Sequence, residues 1–219
     1  MNDLFDEFSA AEAELTVEKE HHGQQIRARA IERKTSRMIL RRAKSEAVLE
    51  EILPPVFEPD TSTHVISHGD VDSLSYLIYL NRRMDIDRVL ISTWCMAMPD
   101  VEWMRNQIAL GRIGGIDFVL GEIFPSQYPD EYTAVAAMED AGIATMKIAR
   151  NHAKIMAGHS KQTGLHFVIE SSSNVNTNPR IEQTAIHTSR ELHDFYIDFY
   201  SAVKSIDGAR YKKATHAPA

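Results

Sequence analysis

A single cysteine, Cys95, stands among 219 residues. That count excludes an intrachain disulfide framework and a multi-cysteine zinc site. No apolar run approaches the ~18 residues of a membrane helix. The first residues, MNDLFDEFSAAEAEL, lack the basic-then-apolar order of a secretory leader. The net charge of −7 argues against a protein coated throughout with nucleic acid. Internal repeats and low-complexity tracts are absent. These absences leave a cytoplasmic protein, with no membrane partner, as the expectation.

What is present is ordinary globular composition, 43% hydrophobic and 25% charged, on a length that suits one domain plus an extension. Charge is uneven along the chain. Residues 1–20 hold seven acids against Lys19, and residues 21–44 hold eight bases against Glu32. Neither segment contains proline, and helix formers dominate the second. The stretch from about 10 to 52 reads as one long helix or two, ending before Pro54-Pro55. Charge runs are usually solvated faces. A basic arm for phosphate backbones, carrying Arg33, Arg37 and Arg41, and a dimerisation helix are the sharper alternatives.

From residue 62 onward, short apolar runs alternate with helical periodicity. Strands are expected at 63–67, 87–93, 116–121 and 143–149, then as a neighbouring pair in HAKIMAG and LHFVIES. Helices are expected at 71–84, 99–112, 129–142 and 189–204. The last is strongly amphipathic through Leu192, Phe195, Tyr196, Phe199, Tyr200 and Val203. Such alternation implies an α/β fold with a mixed, largely parallel sheet flanked by helices on both faces. The expected organisation is an N-terminal helical extension over 1–55, an α/β domain over 56–208 and a basic tail over 209–219.

Two His-x-Lys pairs fall within ten residues, His152 with Lys154 and His159 with Lys161. Alternate residues of an extended segment share a face, so each pair presents an imidazole beside an ammonium. GHSKQTG reads as a turn, which leaves His152 and Lys154 as the pair of interest. After the next strand comes ESSSNVNTNPRIEQTAI, rich in serine and asparagine. Small polar side chains beyond a strand end can donate to phosphate oxygens, and strand ends bordering a crevice are where α/β proteins bind ligands.

The order His-x-Lys, strand, Ser-x-Asn, Glu resembles the signature of the phospholipase D superfamily, whose members attack phosphodiesters through a histidine. The resemblance covers about residues 150–186. It implies that His152 is the nucleophile and forms a phosphohistidine. It implies that Lys154 and Asn174 hold phosphate oxygens, supported by Ser172 and Ser173, and that Glu182 orients the imidazole. No metal or other cofactor is expected on that reading. Two departures stand out. The H-x-K-x4-D pattern has an aspartate where this chain has His159, and the glycine before Ser-x-Asn is replaced by Ser171. Members with one motif pair two chains, so the resemblance implies a homodimer whose two His152 residues share a site.

SHGDVDS offers His68, Asp70 and Asp72 either as cation ligands or as a helix start capped by Asp70. His68 also borders the expected crevice, as a supporting residue. Trp94 reads as core or as a stacking surface for a base, and Cys95 as a small buried residue. The expected function is a phosphodiesterase of nuclease type. Nucleic acid is the substrate and partner, held in part by Arg33, Arg37, Arg41, Lys212 and Lys213. A catalytically degenerate nucleic-acid-binding or assembly module, and a phospholipid-cleaving enzyme, are the alternatives.

Overall fold

A computed structural model of the chain describes residues 37–176 and 179–206; of residues 37–39 it describes the backbone alone. Arg33, Lys212 and Lys213 lie outside the described residues, as do the helix expected before residue 37 and the basic tail. The side chain of Arg37 does too.

The elements run α1 (Arg37–Ile52), β1 (Ser62–His68), α2 (Ser73–Arg83), β2 (Arg88–Thr93), α3 (Met98–Ala109), β3 (Ile116–Gly121), a one-turn α4 (Phe124–Gln127), α5 (Pro129–Asp140), β4 (Ala144–Ala149), β5 (Ile155–His159), β6 (His166–Ser171), β7 (Ile181–His187) and α6 (Arg190–Ala202). The strands form one seven-stranded sheet in the order β1-β7-β6-β5-β2-β3-β4.

The sheet is mixed and the protein is α/β, but the largely parallel pairing expected from the sequence does not hold. Only β2 with β3 and β3 with β4 pair in parallel. The ladders β1–β7, β6–β7, β5–β6 and β2–β5 are antiparallel. Two of these four ladders are made by β7, which lies between β1 and β6. Its sequence, IEQTAIH, buries only Thr184, Ala185 and Ile186 fully, so it carries no continuous apolar run to announce a strand.

Both faces of the sheet are covered, and side-chain alternation divides them. Val89 and Ile91 of β2, Met156 of β5, and Phe167 and Ile169 of β6 join the larger core, shared with α1, α2, α3 and α5. Leu90, Ile155, Ala157 and Val168 face the other way, onto Tyr200, Tyr196, Leu192 and Ile197 of α6. The helix ends follow local chemistry. Ser189 caps α6 by accepting the Leu192 N–H at 3.2 Å. At the other end of α6, Lys147 Nζ donates to the Tyr200 and Ser201 carbonyls at 2.9 Å each, placing a cation at the negative end of the dipole. Helix α5 stops at Gly142, whose φ of +71° suits a residue without a Cβ.

Helix α1 packs against the sheet domain: Leu49 of α1 and Leu53 are buried in the larger core. Ionic contacts tie α1 in as well. Arg41 Nε lies 3.0 Å from Asp72, and Arg42 meets Asp100, whose side chain is fully buried. Burial pushes both carboxyls up, against the pull of these arginines. Arg41 also donates to the Gly69 carbonyl at 3.0 Å. It is therefore turned inward to a buried carboxylate, which is a correction to its expected place on a phosphate-facing arm.

Candidate active site

One edge of the sheet gathers the residues that the sequence singles out. The direction of the ladders brings together the C-terminal ends of β1, β2 and β6 and the N-terminal ends of β5 and β7. His152 and Lys154 precede β5, Ser172 follows β6 and Glu182 lies in β7. An open groove of about 350 Å³ runs between them, lined among others by His152, Lys154, Ser172, Glu170, Gln183 and Tyr196.

The segment before β5 is anchored by Asn151, a buried residue that sequence reasoning passed over. Its Nδ2 donates to the carbonyls of Val119 at 2.9 Å and Thr93 at 3.3 Å and to Ser92 Oγ at 3.0 Å. Its Oδ1 accepts the Ala153 N–H at 3.1 Å. One side chain thus fastens the backbone on either side of His152 to the ends of β2 and β3. Trp94, just past β2, lies against His152 with ring centroids 5.5 Å apart and planes at 52°. Gly121 makes room for that indole, since a Cβ there would fall 2.3 Å from its Cδ1.

Lys154 Nζ sits 2.8 Å from His152 Nδ1 and 2.5 Å from the His152 carbonyl. An ammonium donating to Nδ1 leaves the imidazole proton on Nε2. Burial holds the Lys154 ammonium below the ordinary lysine range, against the opposing influence of Cys95 and Glu182. The expected side-by-side presentation of His152 and Lys154 is therefore present as a direct contact.

Ser172 Oγ donates to Glu182 Oε2 and accepts the Gln183 N–H at 3.0 Å. Asn174 Oδ1 accepts the Trp94 N–H at 3.3 Å and sits 3.5 Å from Thr93 Oγ1. With its oxygen so engaged, the amide nitrogen is its remaining hydrogen-bonding group, a donor. Ser173 is buried, and its hydroxyl donates to the Asn174 carbonyl at 3.3 Å. It shapes the loop rather than facing the groove, contrary to the phosphate-supporting place given to it above.

His68 ends β1, opposite Ile181 of β7. Two strands, β7 and β6, separate it from β5, so it stands outside the His152 groove. Its N–H bonds Asp70 Oδ1 at 2.9 Å. Asp70 therefore caps the turn, while Asp72 occupies the helix N-cap position and is committed to Arg41. The cation site drawn from His68, Asp70 and Asp72 is not assembled. Cys95 is buried, with its thiol pushed up by that burial, as expected of a small core residue.

Glu170 and Tyr196 are the groove residues that sequence reasoning missed. The Tyr196 hydroxyl donates to Glu170 Oε1, and burial together with this bond pushes the phenol up. The 3–4 periodicity of α6 marked Tyr196 as apolar-face, but not which strand its hydroxyl would meet.

No protein-family model and no curated protein matches the chain. Solved structures similar to it include TrmBL2, an archaeal chromatin protein with a novel mode of DNA binding: 8% identity, 93% of this chain, 67% of that chain, TM-score 0.48. They also include polyphosphate kinase from Porphyromonas gingivalis (11% identity, 68% of this chain, TM-score 0.49) and phosphatidylserine synthase from Haemophilus influenzae Rd KW20 (9%, 66%, 0.46). The chain spans only 27% and 39% of their lengths.

Proposed function

We propose that the chain is a phosphodiesterase of nuclease type that works through a phosphohistidine on His152. The observation that carries this reading is the contact of His152 with Lys154 at an open groove that Ser172 also lines. A substrate phosphate entering the groove offers Lys154 a better partner than Nδ1. As the ammonium swings to a phosphoryl oxygen, it releases the imidazole lone pair. That nitrogen then attacks phosphorus, and the P–O bond to the leaving group breaks. Lys154 and Asn174 stabilise the charge on the remaining oxygens. Ser172 lines the groove, and Glu182, which accepts its hydroxyl, keeps negative charge near the ammonium. Water attacks the phosphohistidine to restore His152 and free a phosphate monoester.

The leaving oxygen needs a proton, and a second histidine is its natural source. A homodimer supplies one if the two grooves face each other across a two-fold axis. Phe195, 60% exposed, stacks edge-on against groove-lining Tyr196 with centroids 5.2 Å apart. Phe199 on the same helix is 59% exposed. Such an apolar flank suits a partner protomer. A catalytically silent nucleic-acid-binding module is the second reading. The engagement of Nδ1 by Lys154 favours it, because a histidine so held is not a nucleophile until a phosphate displaces the lysine.

Turnover of bis(p-nitrophenyl) phosphate in EDTA by wild type, His152→Ala and Lys154→Ala separates these readings. Activity in the wild type that both substitutions abolish supports the phosphohistidine route. Activity that survives His152→Ala unchanged overturns it, and a wild type silent on this diester and on DNA and RNA leaves the binding module.

A further inference from the structure

His159, which stands where the H-x-K-x4-D pattern has an aspartate, does not lie in a loop. It closes β5, and the register of the β5–β6 hairpin sets it directly opposite His166. Cross-strand partners share a face. With Ile155, Ala157 and Val168 on that face, both rings turn to the side covered by α6. His193, in the second turn of α6, descends onto them. The ring centroids are 5.7 Å apart for His159 and His166, 5.7 Å for His159 and His193, and 5.0 Å for His166 and His193. Asp194 completes the group, with Oδ1 2.8 Å from His193 Nδ1.

Three imidazoles brought from two strands and a helix are an unusual way to fill space. Each neutral ring has one donor and one acceptor, and protonation of more than one would place like charges side by side. The donor atoms of His166, His193 and Asp194 all lie within 4.8 Å of one another. We propose that these three residues bind a zinc ion, with His159 turning in as the fourth ligand, and that the ion pins α6 to the β5–β6 hairpin.

The donor set fits that metal. Imidazole nitrogens and one carboxylate, without thiolate, suit zinc in a four-coordinate arrangement. The surroundings prepare the ligands. The Gly164 carbonyl lies 3.3 Å from His166 Nδ1; a proton held there fixes Nε2 as the lone-pair side. The neighbouring cations are already occupied. Arg190 Nε sits 3.5 Å from Asp194 Oδ2, which leaves Oδ1 for the site, and Lys161 pairs with Asp87 at 3.8 Å. With four protein ligands the site has no open position, which makes it structural rather than catalytic. It stands at the far end of β5 from Lys154, about 16 Å along the chain at ~3.3 Å per residue.

Untagged, metal-stripped full-length protein titrated with zinc in a calorimeter tests this, with Co2+ absorption as an independent report on the ligand set. The expected result is one zinc per chain, a raised melting temperature on zinc addition, and the intense visible bands of tetrahedral Co2+. His166→Gln and Asp194→Asn should each weaken zinc at least ~10-fold and remove the zinc-dependent rise in melting temperature, while His152→Ala leaves both unchanged. Asp194 is 52% exposed, so its substitution leaves the fold testable. No uptake at ~100 μM zinc, or uptake that both variants leave unaltered, overturns the proposal. Phosphodiester turnover is not a readout here, so the two proposals stand or fall separately. Because EDTA also strips zinc, the turnover assay belongs below the melting temperature of the metal-free protein.

Discussion

Replacing Asn151 with alanine should cost the protein about 3 kcal/mol and disable the groove together. The substitution strips the buried Val119 and Thr93 carbonyls of their partner, and the more exposed Ala153 N–H as well. Each unsatisfied buried backbone group costs roughly 1–3 kcal/mol. Two such groups set an upper range near ~6 kcal/mol, and relaxation and water entry into the vacated space bring the expected loss to ~3 kcal/mol. Ser92 Oγ keeps Tyr200 as an alternative partner at 2.9 Å, so it adds little. Urea unfolding followed by far-UV circular dichroism measures the loss. Asn151→Asp is the sharper variant: it keeps the shape but turns a carboxylate oxygen towards two carbonyls, and should cost more than alanine does. If either variant unfolds within ~0.5 kcal/mol of wild type, Asn151 does not hold the His152 segment in the way these distances imply.

Two further outcomes are expected. Arg42→Met leaves the fully buried Asp100 without its arginine and should destabilise by about 3–5 kcal/mol in urea, part of it recovered by adding Asp100→Asn; a loss below ~1 kcal/mol would mean that α1 is not an integral part of the domain. Tungstate, a phosphate mimic, should bind less well as pH rises. With its ammonium held below the ordinary lysine range by burial, Lys154 loses its proton earlier in an alkaline titration than an ordinary lysine. The charge is thus present at neutral pH and lost on the alkaline side. Lys154→Arg keeps its charge throughout, so its tungstate binding should stay level where the wild type falls. Equal decline in both would detach the effect from Lys154.

Much of the fold was legible in the sequence, because most elements carry their own periodicity. The runs DRVLIST and IDFVLG are nearly continuous apolar stretches, and β2 and β3 are central strands covered on both faces. Helix α6 announced itself through aromatic residues at 3–4 spacing. Strand β7 escaped because its first three residues are polar or exposed, and with it went the antiparallel character of half the sheet. The site was legible where chemistry is compact in sequence. His152, Lys154, Ser172, Asn174 and Glu182 fall within one stretch of chain and converge on one sheet edge. Asn151 and Glu170 were not legible, since their partners lie 59, 32 and 26 residues away and only the strand order brings them close. The histidine cluster was hidden for the same reason. His159 looked like part of a turn until the register set it against His166.

The pairing of β1 with β7 has a consequence for how the chain is made. Ser67 and Glu182 face each other across 115 residues of sequence. At about 5–20 residues per second on the ribosome, β1 waits roughly 6–23 s for the strand that covers it. During that interval it presents an unpaired edge, with Ile66, still 72% exposed in the finished fold, alternating with His64 and His68. Two histidines and a serine-threonine start keep this early strand polar on its open side. The sheet edge that ends up nearest the amino terminus is thus the last to be satisfied, and nascent chains stalled before residue 181 should be the ones that chaperones hold.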